Sequence, residues 1–361
     1  MSSFVNSDEK LLAKVDEVLA DRKRSGLEGL VGGLEAVIIN TQPDLLGAAV
    51  QNLLDSTGYQ LSDVFEDIDH VTYVLTCPGS ADFLVRCRLR SPNPFAAAND
   101  YPVGRRLPDT RLETFVFAVK DLAAYVEIQR GRGIAFQTER PVVGQGFRFI
   151  QTWPSVYTGN ATGFVQWTGP RGDWRTPGAR RLDRRLKKPE RPFLADIGRL
   201  DHCATRVRAQ ERDAAILEFM SLTNYRFTMA IYVESLNSIT NVSRLGKDDF
   251  ALVFTSGISP FVDEATSGPT EKFAHTYGPR VHHMAFDTNN IEAVVEGLRH
   301  HGQRYLEEMV GSPEEGLKQI FTVPFQTTLL VNEYIHRYGD FDGFFTKQNV
   351  TLLTRATAHQ D

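Results

Sequence analysis

A strand followed by a helix returns four times along this chain of 361 residues, and this repeat limits the folds that the chain can adopt. Apolar alternation and helical periodicity predict four strand–helix pairs: 34–40 with 45–54, 111–119 with 121–130, 198–207 with 211–219, and 282–286 with 291–300. Residues 72–75 and 83–89 predict further strands after the first pair. Internal repeats of this size indicate modules that bury a common core by packing side by side.

The repeats can be aligned with one another, most clearly the second with the fourth. At the matching positions the first half has Ala36 and Thr114, whereas the second half has His202 and His283. A histidine required only for packing would be expected in both halves. The asymmetry therefore favours a metal site that is confined to the second half.

Two adjacent histidines lie in the fourth predicted strand. Because side chains alternate across a strand, only His283 shares a face with Val281 and Ala285. Such a histidine is either a hydrogen-bonded residue of the core or a metal ligand. The strand-like stretch 327–336 contains one acid, Glu333, on an apolar face, where it would be costly unless paired or bound to a metal. The alternative is an edge strand with Glu333 in water.

Charge and cysteine content exclude several classes of protein. The formal net charge of -5 indicates neither a nucleic-acid partner nor a membrane partner, and no apolar run reaches membrane-spanning length. Three cysteines without C-x-x-C spacing suggest neither disulfides nor a thiolate zinc site, which fits a cytoplasmic setting. The basic stretch 171–192 has few aromatic residues for bases to stack on and almost nothing apolar, so it predicts a solvated linker.

Four segments of the second half carry a resemblance to a known family. Leu200-Asp201-His202, then 281–286, 317–324 and 333–337 resemble, in this order, the signatures of the 4-hydroxyphenylpyruvate dioxygenase family of the vicinal oxygen chelate superfamily. The resemblance implies an α+β fold in which four βαβββ modules form two tandem barrel-like vicinal oxygen chelate domains, followed by a carboxy-terminal helix that gates the cavity.

The implied domains have the following bounds. They are an amino-terminal helix at 1–30, a first vicinal oxygen chelate domain without metal at 31–168, a linker at 169–196, and a catalytic domain with the carboxy-terminal helix at 197–361. In the first of these segments, the helical pattern places five apolar residues on one stripe: Leu11, Leu12, Val15, Val18 and Leu19.

The same resemblance implies a function. His202, His283 and Glu333 would hold Fe(II), and a 2-oxo acid and dioxygen would be the substrates. The reaction would be an oxidative decarboxylation followed by hydroxylation of the remainder, with 4-hydroxyphenylpyruvate to homogentisate as the leading expectation. Conversion to 4-hydroxymandelate, as in enzymes similar to 4-hydroxymandelate synthase, and a different, aliphatic 2-oxo acid stay open. A homo-oligomer also stays open.

The resemblance extends to candidate catalytic residues in the pocket. Gln319, Ser238 and Asn349 would orient the substrate, Phe321 would contact its side chain, and Phe345 lies in the segment that closes the cavity. For both phenylalanines, ordinary core packing is an equal alternative.

Three departures from the family concern the wall of the substrate pocket. His282 stands where the family usually has glutamine, and Val350 replaces a ring-stacking phenylalanine. Residues 254–258 lack the substrate-contacting asparagine. These changes leave the metal ligands intact and alter the pocket wall.

Other classes of protein share this modular fold. Extradiol ring-cleaving enzymes and glyoxalase-type isomerases lack the pattern at 319–322 followed by the closing segment. A non-catalytic small-molecule binding protein would not need a complete set of metal ligands. Oxygen uptake with carbon dioxide release would distinguish the dioxygenase from an isomerase, and metal analysis would test the binding protein.

Overall fold

The structure is a computed structural model that describes residues 4–339, 341 and 343–359. The helices are α1 (Asp8–Ser25), α2 (Leu46–Ser56), α3 (Leu122–Gly131), α4 (Arg212–Leu222), α5 (Pro269–Tyr277), α6 (Ile291–His300) and α7 (Lys347–Ala356). The first nine strands are β1 (Val31–Thr41), β2 (Gln60–Glu66), β3 (His70–Thr76), β4 (Asp82–Arg88), β5 (Arg111–Val119), β6 (Val142–Val143), β7 (Phe147–Gln151), β8 (Ala161–Trp167) and β9 (Arg180–Arg181). The remaining strands are β10 (Ile197–Arg206), β11 (Arg226–Val233), β12 (Ser238–Arg244), β13 (Ala251–Ser256), β14 (Arg280–Thr288), β15 (Val310–Ser312), β16 (Leu317–Phe321) and β17 (Val331–Arg337). Within these ranges, no helix is both long enough and apolar enough to cross a membrane.

Each module begins with one of the four predicted strand–helix pairs. The modules are β1-α2-β2-β3-β4, β5-α3-β6-β7-β8, β10-α4-β11-β12-β13 and β14-α6-β15-β16-β17. The predicted α+β fold of four βαβββ modules is therefore confirmed. Helix α5, which lies between the third and fourth modules, has no counterpart in the sequence-based prediction.

Helix α6 shows how the sequence determines a module's helix. Asn290 caps the first turn, because its side chain accepts a hydrogen bond of 3.1 Å from the backbone N–H of Ala293. Glu292 in the first turn and Arg299 in the last turn have the signs that complement the helix dipole. Four apolar residues at helical spacing are buried: Ile291, Val294, Val295 and Leu298.

Two curled sheets have the same strand order, apart from the additional edge strand β9 of the first sheet. The first is β6-β7-β8-β5-β1-β4-β3-β2-β9, and the second, in the opposite direction, is β11-β12-β13-β10-β14-β17-β16-β15. Within a module the first and last strands pair in parallel, as β10 does with β13 and β14 with β17. The two modules of the second sheet meet through the antiparallel pair β10 and β14. Strands β10, β14 and β17 therefore lie side by side in the middle of that sheet.

One large apolar core joins the two halves. Tyr59 stacks on Phe83 with ring centroids 4.2 Å apart, and Phe286 of the second half meets Tyr59 edge-on at 6.2 Å. Arg22 of α1 is buried and donates hydrogen bonds to three backbone carbonyls of the second half, those of Met220, Thr223 and Tyr225. Aromatic packing and a buried guanidinium thus hold the halves together.

Helix α1 precedes the modules and packs against α4. It ends at Ser25, and Gly26 follows with a φ of 81°, the left-handed conformation in which glycine commonly terminates a helix. Leu11 and Val15 are buried, but Leu12 is 49% exposed. The buried stripe is narrower than predicted because the helix packs on the rest of the protein along one edge.

The segment 171–192 is only partly a solvated linker. Its residues Arg180–Arg181 form β9, which pairs with β2 at the edge of the first sheet. Trp174 is buried, and its indole N–H donates a hydrogen bond of 2.8 Å to Asp82. A single tryptophan within a charged stretch was the sign that this segment packs against the first half.

Candidate metal centre

Three neighbouring strands bring together the predicted ligands. His202 lies on β10, His283 on β14 and Glu333 on β17. Ala285 of β14 is the register partner of both His202 and Glu333, so the small central residue lies between two ligands on flanking strands. One ligand atom from each of the three residues lies within 4.8 Å of the others.

A register shift adjusts the strand that carries the histidine pair. Between Ala204 and Thr205 the pairing of β10 moves from His283 to Val281, which indicates a β-bulge at this point. Val281 belongs to the main core, whereas Ala285 belongs to a separate cluster with Leu317 and Ile335. The prediction that His283 shares one face with Val281 and Ala285 is therefore wrong for Val281, because the bulge interrupts the alternation.

The ligand atoms converge on one carboxylate oxygen. His202 Nε2 is 3.1 Å from Glu333 Oε2, and His283 Nε2 is 3.2 Å from the same atom. All three side chains are at least nine-tenths buried. His202 Nε2 is buried and has no partner with hydrogen-bond geometry among the described residues. A buried nitrogen that faces a carboxylate without hydrogen-bonding it fits a cation placed between them.

The two histidines differ in their electrostatic surroundings. Burial opposes the charged form of His202, but Glu333 and Asp201 outweigh it and raise the pKa of His202 to about 9. Burial, His282, His202 and Arg206 all lower the pKa of His283 well below its usual range. Bound metal requires both imidazoles to be neutral, so a cation would take the place of the proton on His202.

Asp201 and Arg337 support the first ligand from behind. Asp201 Oδ1 is 2.8 Å from His202 Nδ1, and Arg337 Nη1 donates a hydrogen bond of 2.7 Å to Asp201 Oδ2. Although burial opposes ionisation, hydrogen bonds from His202 and Arg337 lower the pKa of Asp201. A carboxylate that accepts from Nδ1 leaves Nε2 free to bind a metal. The sequence had not predicted this pair, although both residues lie within the segments that carry the resemblance.

Gln319 and Asn349 support the carboxylate. Gln319 Nε2 donates a hydrogen bond of 2.5 Å to Glu333 Oε1, and Gln319 Oε1 accepts one of 3.0 Å from Asn349 Nδ2. Gln319 also borders the cavity beside the ligands, but Asn349 is buried behind it. The structure therefore places Asn349 against Gln319 and not on the cavity wall.

His282 contacts the second ligand directly. Its Nδ1 is 2.9 Å from Nδ1 of His283, and both rings lie against Phe321, with centroid separations of 5.9 and 4.7 Å. One of the two Nδ1 atoms must donate and the other accept, so the neighbouring rings are held in complementary tautomers. His282 thereby restrains the ring of His283.

A narrow cavity lies beside two of the candidate ligands, His283 and Glu333, under α7. Phe321, Phe345 and Val350 line it together with His283 and Glu333. The volume of this cavity is about 50 Å³.

Ser238 lies next to this cavity rather than on its wall. Its hydroxyl is buried and 3.2 Å from the hydroxyl of Thr270, which does border the cavity. The structure therefore places Thr270, and not Ser238, on the cavity wall.

The first sheet has different residues at the positions of all three ligands. Ala36 and Thr114 take the places of the two histidines. Gly163 takes the place of Glu333, because it pairs with Val116 in the first sheet as Glu333 pairs with Ala285 in the second. These three residues offer neither an imidazole nor a carboxylate. The hydroxyl of Thr114 instead donates a hydrogen bond to Gln151.

The fold is similar to that of solved structures. A triply substituted mutant of 4-hydroxymandelate synthase from Streptomyces coelicolor matches with a TM-score of 0.69 and 17% identity, over 91% of this chain and 98% of that chain. A fusion protein of a xylose isomerase-like TIM barrel and 4-hydroxyphenylpyruvate dioxygenase matches with a TM-score of 0.59 and 17% identity, over 91% of this chain and 52% of that chain. The chain thus spans about half of the fusion protein. No protein-family model and no curated protein matches the sequence. The predicted resemblance is confirmed at the level of the fold, that of tandem vicinal oxygen chelate domains.

Proposed function

We propose that the protein is an Fe(II)-dependent dioxygenase that oxidatively decarboxylates a 2-oxo acid and hydroxylates the remainder of the same molecule. The observation that carries this proposal is the convergence of three buried ligand atoms, from His202, His283 and Glu333, beside a cavity. Two imidazoles and one carboxylate, with positions left open, are the ligand set of non-haem Fe(II) oxygenases. When bound, the metal would supply the redox chemistry with dioxygen.

The protein's own residues would fix the ligands and line the cavity with apolar surface. Asp201 keeps Nδ1 of His202 engaged, so that Nε2 points at the metal position. Gln319 restrains the Glu333 carboxylate through its outer oxygen, Oε1, which leaves Oε2 directed at both histidines. The rings of Phe321 and Phe345 border the cavity and present apolar surface to it.

The names of the two similar structures support this reaction class over the alternatives. One is a 4-hydroxymandelate synthase and the other contains a 4-hydroxyphenylpyruvate dioxygenase. On this basis 4-hydroxyphenylpyruvate is the first substrate to test, with homogentisate or 4-hydroxymandelate as the product.

The small volume of the cavity favours a second candidate substrate, an aliphatic 2-oxo acid. The cavity's volume of about 50 Å³ is far below the roughly 300–1,000 Å³ of ordinary ligand pockets. An aromatic 2-oxo acid would require Phe345 or helix α7 to move. A short aliphatic 2-oxo acid needs less displacement.

The proposal is tested by loading the full chain with Fe(II) without oxygen and then adding aromatic and aliphatic 2-oxo acids. We expect oxygen-dependent release of carbon dioxide from at least one of them. The variant His283→Ala should lose both bound iron and oxygen consumption. The variant His300→Ala, an exposed histidine at the end of α6, should lose neither.

Two results would contradict the proposal. His283→Ala could retain both iron and oxygen consumption with a 2-oxo acid, which would remove His283 from the site. Alternatively, the iron-loaded protein could convert a substrate without consuming oxygen, which would indicate an isomerase.

A further inference from the structure

Arg206 is a buried cation that lines the same cavity as His283 and Glu333. It lies on β10 at an even spacing from His202, so the two side chains are on one face of the strand. Its guanidinium donates a hydrogen bond of 2.8 Å to the hydroxyl of Thr357 and lies 4.6 Å from the ring centroid of Phe273. Among the described residues, no Asp or Glu forms an ion pair with it. Burial lowers the pKa of Arg206 to about 9, so it is charged at neutral pH.

Two other buried arginines, Arg111 and Arg212, have more partners than Arg206. Arg212 forms ion pairs with Asp8 and Asp213. Arg111 donates to two backbone carbonyls and to a side-chain amide. A buried charge without such partners is costly, and an anionic ligand would supply the missing acceptor. Arg206 is the arginine of the cavity wall, where a ligand can reach it.

A hydroxyl without a partner lies beside Arg206. Thr255 is the register partner of Arg206 on β13, and Thr240 is the partner of Thr255 on β12. All three residues line the cavity. The buried Thr255 Oγ1 makes no hydrogen bond within the described ranges. A guanidinium beside a free hydroxyl offers donors to an anionic oxygen.

The charge balance of the cavity indicates what that anion belongs to, and this step rests on the proposed function. A divalent cation and Arg206 carry three positive charges, and Glu333 carries one negative charge, so a net charge of plus two faces the cavity. A 2-oxo acid with one carboxylate would leave a buried positive charge uncompensated. A substrate with two acid groups would neutralise the site, as buried charges require.

We propose that Arg206 and Thr255 bind a second acid group of the substrate, so that the substrate class is a 2-oxo acid with a carboxylate at its far end. Arg206 lies four positions after His202 on the strand, roughly 13 Å away at the usual rise per residue. The long arginine side chain spans part of this interval. The keto-acid end then faces the metal ligands, and the second carboxylate faces the row formed by Arg206, Thr255 and Thr240.

The test compares ligands that differ only in the second carboxylate. Binding of 2-oxoadipate and of 2-oxohexanoate to the Fe(II)-loaded full chain is measured by anaerobic calorimetry, in which no turnover occurs. We expect 2-oxoadipate to bind at least about tenfold more tightly, a difference of about 1.4 kcal/mol. Arg206→Gln should abolish this preference without changing the affinity for 2-oxohexanoate or for Fe(II). Arg206→Lys should retain part of it.

Arg280→Lys is the matched control. Arg280 is the buried register partner of Arg206 on β14, but it lies outside the cavity and donates to the backbone carbonyl of Thr110. This variant should keep the full preference for 2-oxoadipate. Circular dichroism and thermal melting establish that each variant is folded.

The outcomes separate the two proposals. Equal binding of both ligands by the wild-type protein, or an equal loss of both in Arg206→Gln, would overturn the anion site. Binding of adipate that Arg206→Gln abolishes, with no oxygen consumption from any 2-oxo acid, would support the anion site and refute the dioxygenase.

Discussion

The side-chain amide of Gln319 donates a hydrogen bond of 2.5 Å to the carboxylate of Glu333. Gln319 in turn accepts a hydrogen bond from Asn349 in the first turn of α7. A continuous chain of hydrogen bonds thus runs from the helix that covers the cavity to a candidate metal ligand. Any movement of α7 that withdraws Asn349 would free the amide of Gln319 and loosen the carboxylate.

Replacing Gln319 should therefore weaken metal binding. In Gln319→Leu the Glu333 carboxylate loses its only side-chain hydrogen bond within the described ranges. We expect the affinity for Fe(II) to fall roughly 10- to 100-fold, the usual effect of removing a group that orients a ligand. Anaerobic calorimetry measures this affinity. Lys318→Gln is the control, because Lys318 pairs with Glu292 and does not line the cavity. An unchanged affinity in Gln319→Leu would show that Glu333 needs no such support.

The first half should resist even a small side chain at the position that matches Glu333. A Cβ atom on Gly163 would lie 2.9 Å from the ring of Phe149, 3.0 Å from Thr114 and 3.1 Å from Val116. We expect Gly163→Ala to lower the free energy of unfolding by about 1–3 kcal/mol through overpacking. Chemical denaturation measures this change.

The control for that substitution is a glycine with open space. Gly131 is the last residue of α3 and has no atom within 4 Å of an added Cβ. Gly131→Ala should raise the free energy of unfolding by about 0.5 kcal/mol, because alanine loses less backbone entropy in a helix. Changes of the same sign in both variants would contradict the packing explanation.

The stability of the protein should fall as the pH rises from about 4 to 6, in part because of Asp82. Burial raises the pKa of Asp82 to about 6. This effect outweighs the hydrogen bond from Trp174, which lowers the pKa. An acid with a raised pKa stabilises the fold fully below its unfolded pKa, and this contribution is lost as the pH passes the folded pKa. We expect the free energy of unfolding of Asp82→Asn to equal that of the wild type at pH 4. At pH 7 it should be higher than that of the wild type by at most about 3 kcal/mol.

Asp173, a nearby acid, should affect the pH dependence of stability in the opposite direction. A hydrogen bond from Arg175 lowers the pKa of Asp173, so this carboxylate stabilises the fold when ionised. Asp173→Asn should thus be less stable than the wild type at pH 7, with a smaller difference at low pH. Denaturant titrations from pH 4 to pH 8 measure both variants. Parallel pH profiles for Asp82→Asn and the wild type would refute the role of Asp82.

The two candidate histidine ligands stood out in the sequence because they break an internal repeat. His202 and His283 stand where the first half has Ala36 and Thr114, and the structure shows the matched positions in the same register of the two sheets. Strand–helix pairs of regular length likewise produced the correct order of modules. These features depend on periodicity and local spacing, which a sequence displays directly.

The surroundings of the ligands could not be predicted in this way. Asp201 and Arg337 are separated by 136 residues, and a charged residue on a strand is usually solvated. The sequence likewise does not show whether Arg206 is solvated or buried. Only the folded sheet shows that Arg206 faces the cavity and has no carboxylate partner among the described residues. The bulge that directs Val281 to the main core depends on pairing between distant strands.

Enlarging the cavity should change the choice of substrate. Leu353 of α7 is buried and lines the cavity, so Leu353→Ala would make room beside the metal ligands. We expect the ratio of kcat/KM for 4-hydroxyphenylpyruvate to that for a short aliphatic 2-oxo acid to rise about tenfold, a change of about 1.4 kcal/mol in relative transition-state binding. The truncation should also cost about 2–3 kcal/mol of stability, at the low end for leucine because the side chain already borders a cavity. Leu298→Ala in α6 is the matched control, since Leu298 is buried but does not line this cavity. It should lower stability and leave the ratio unchanged, so an equal rise in both variants would trace the effect to general loosening rather than to the size of the cavity.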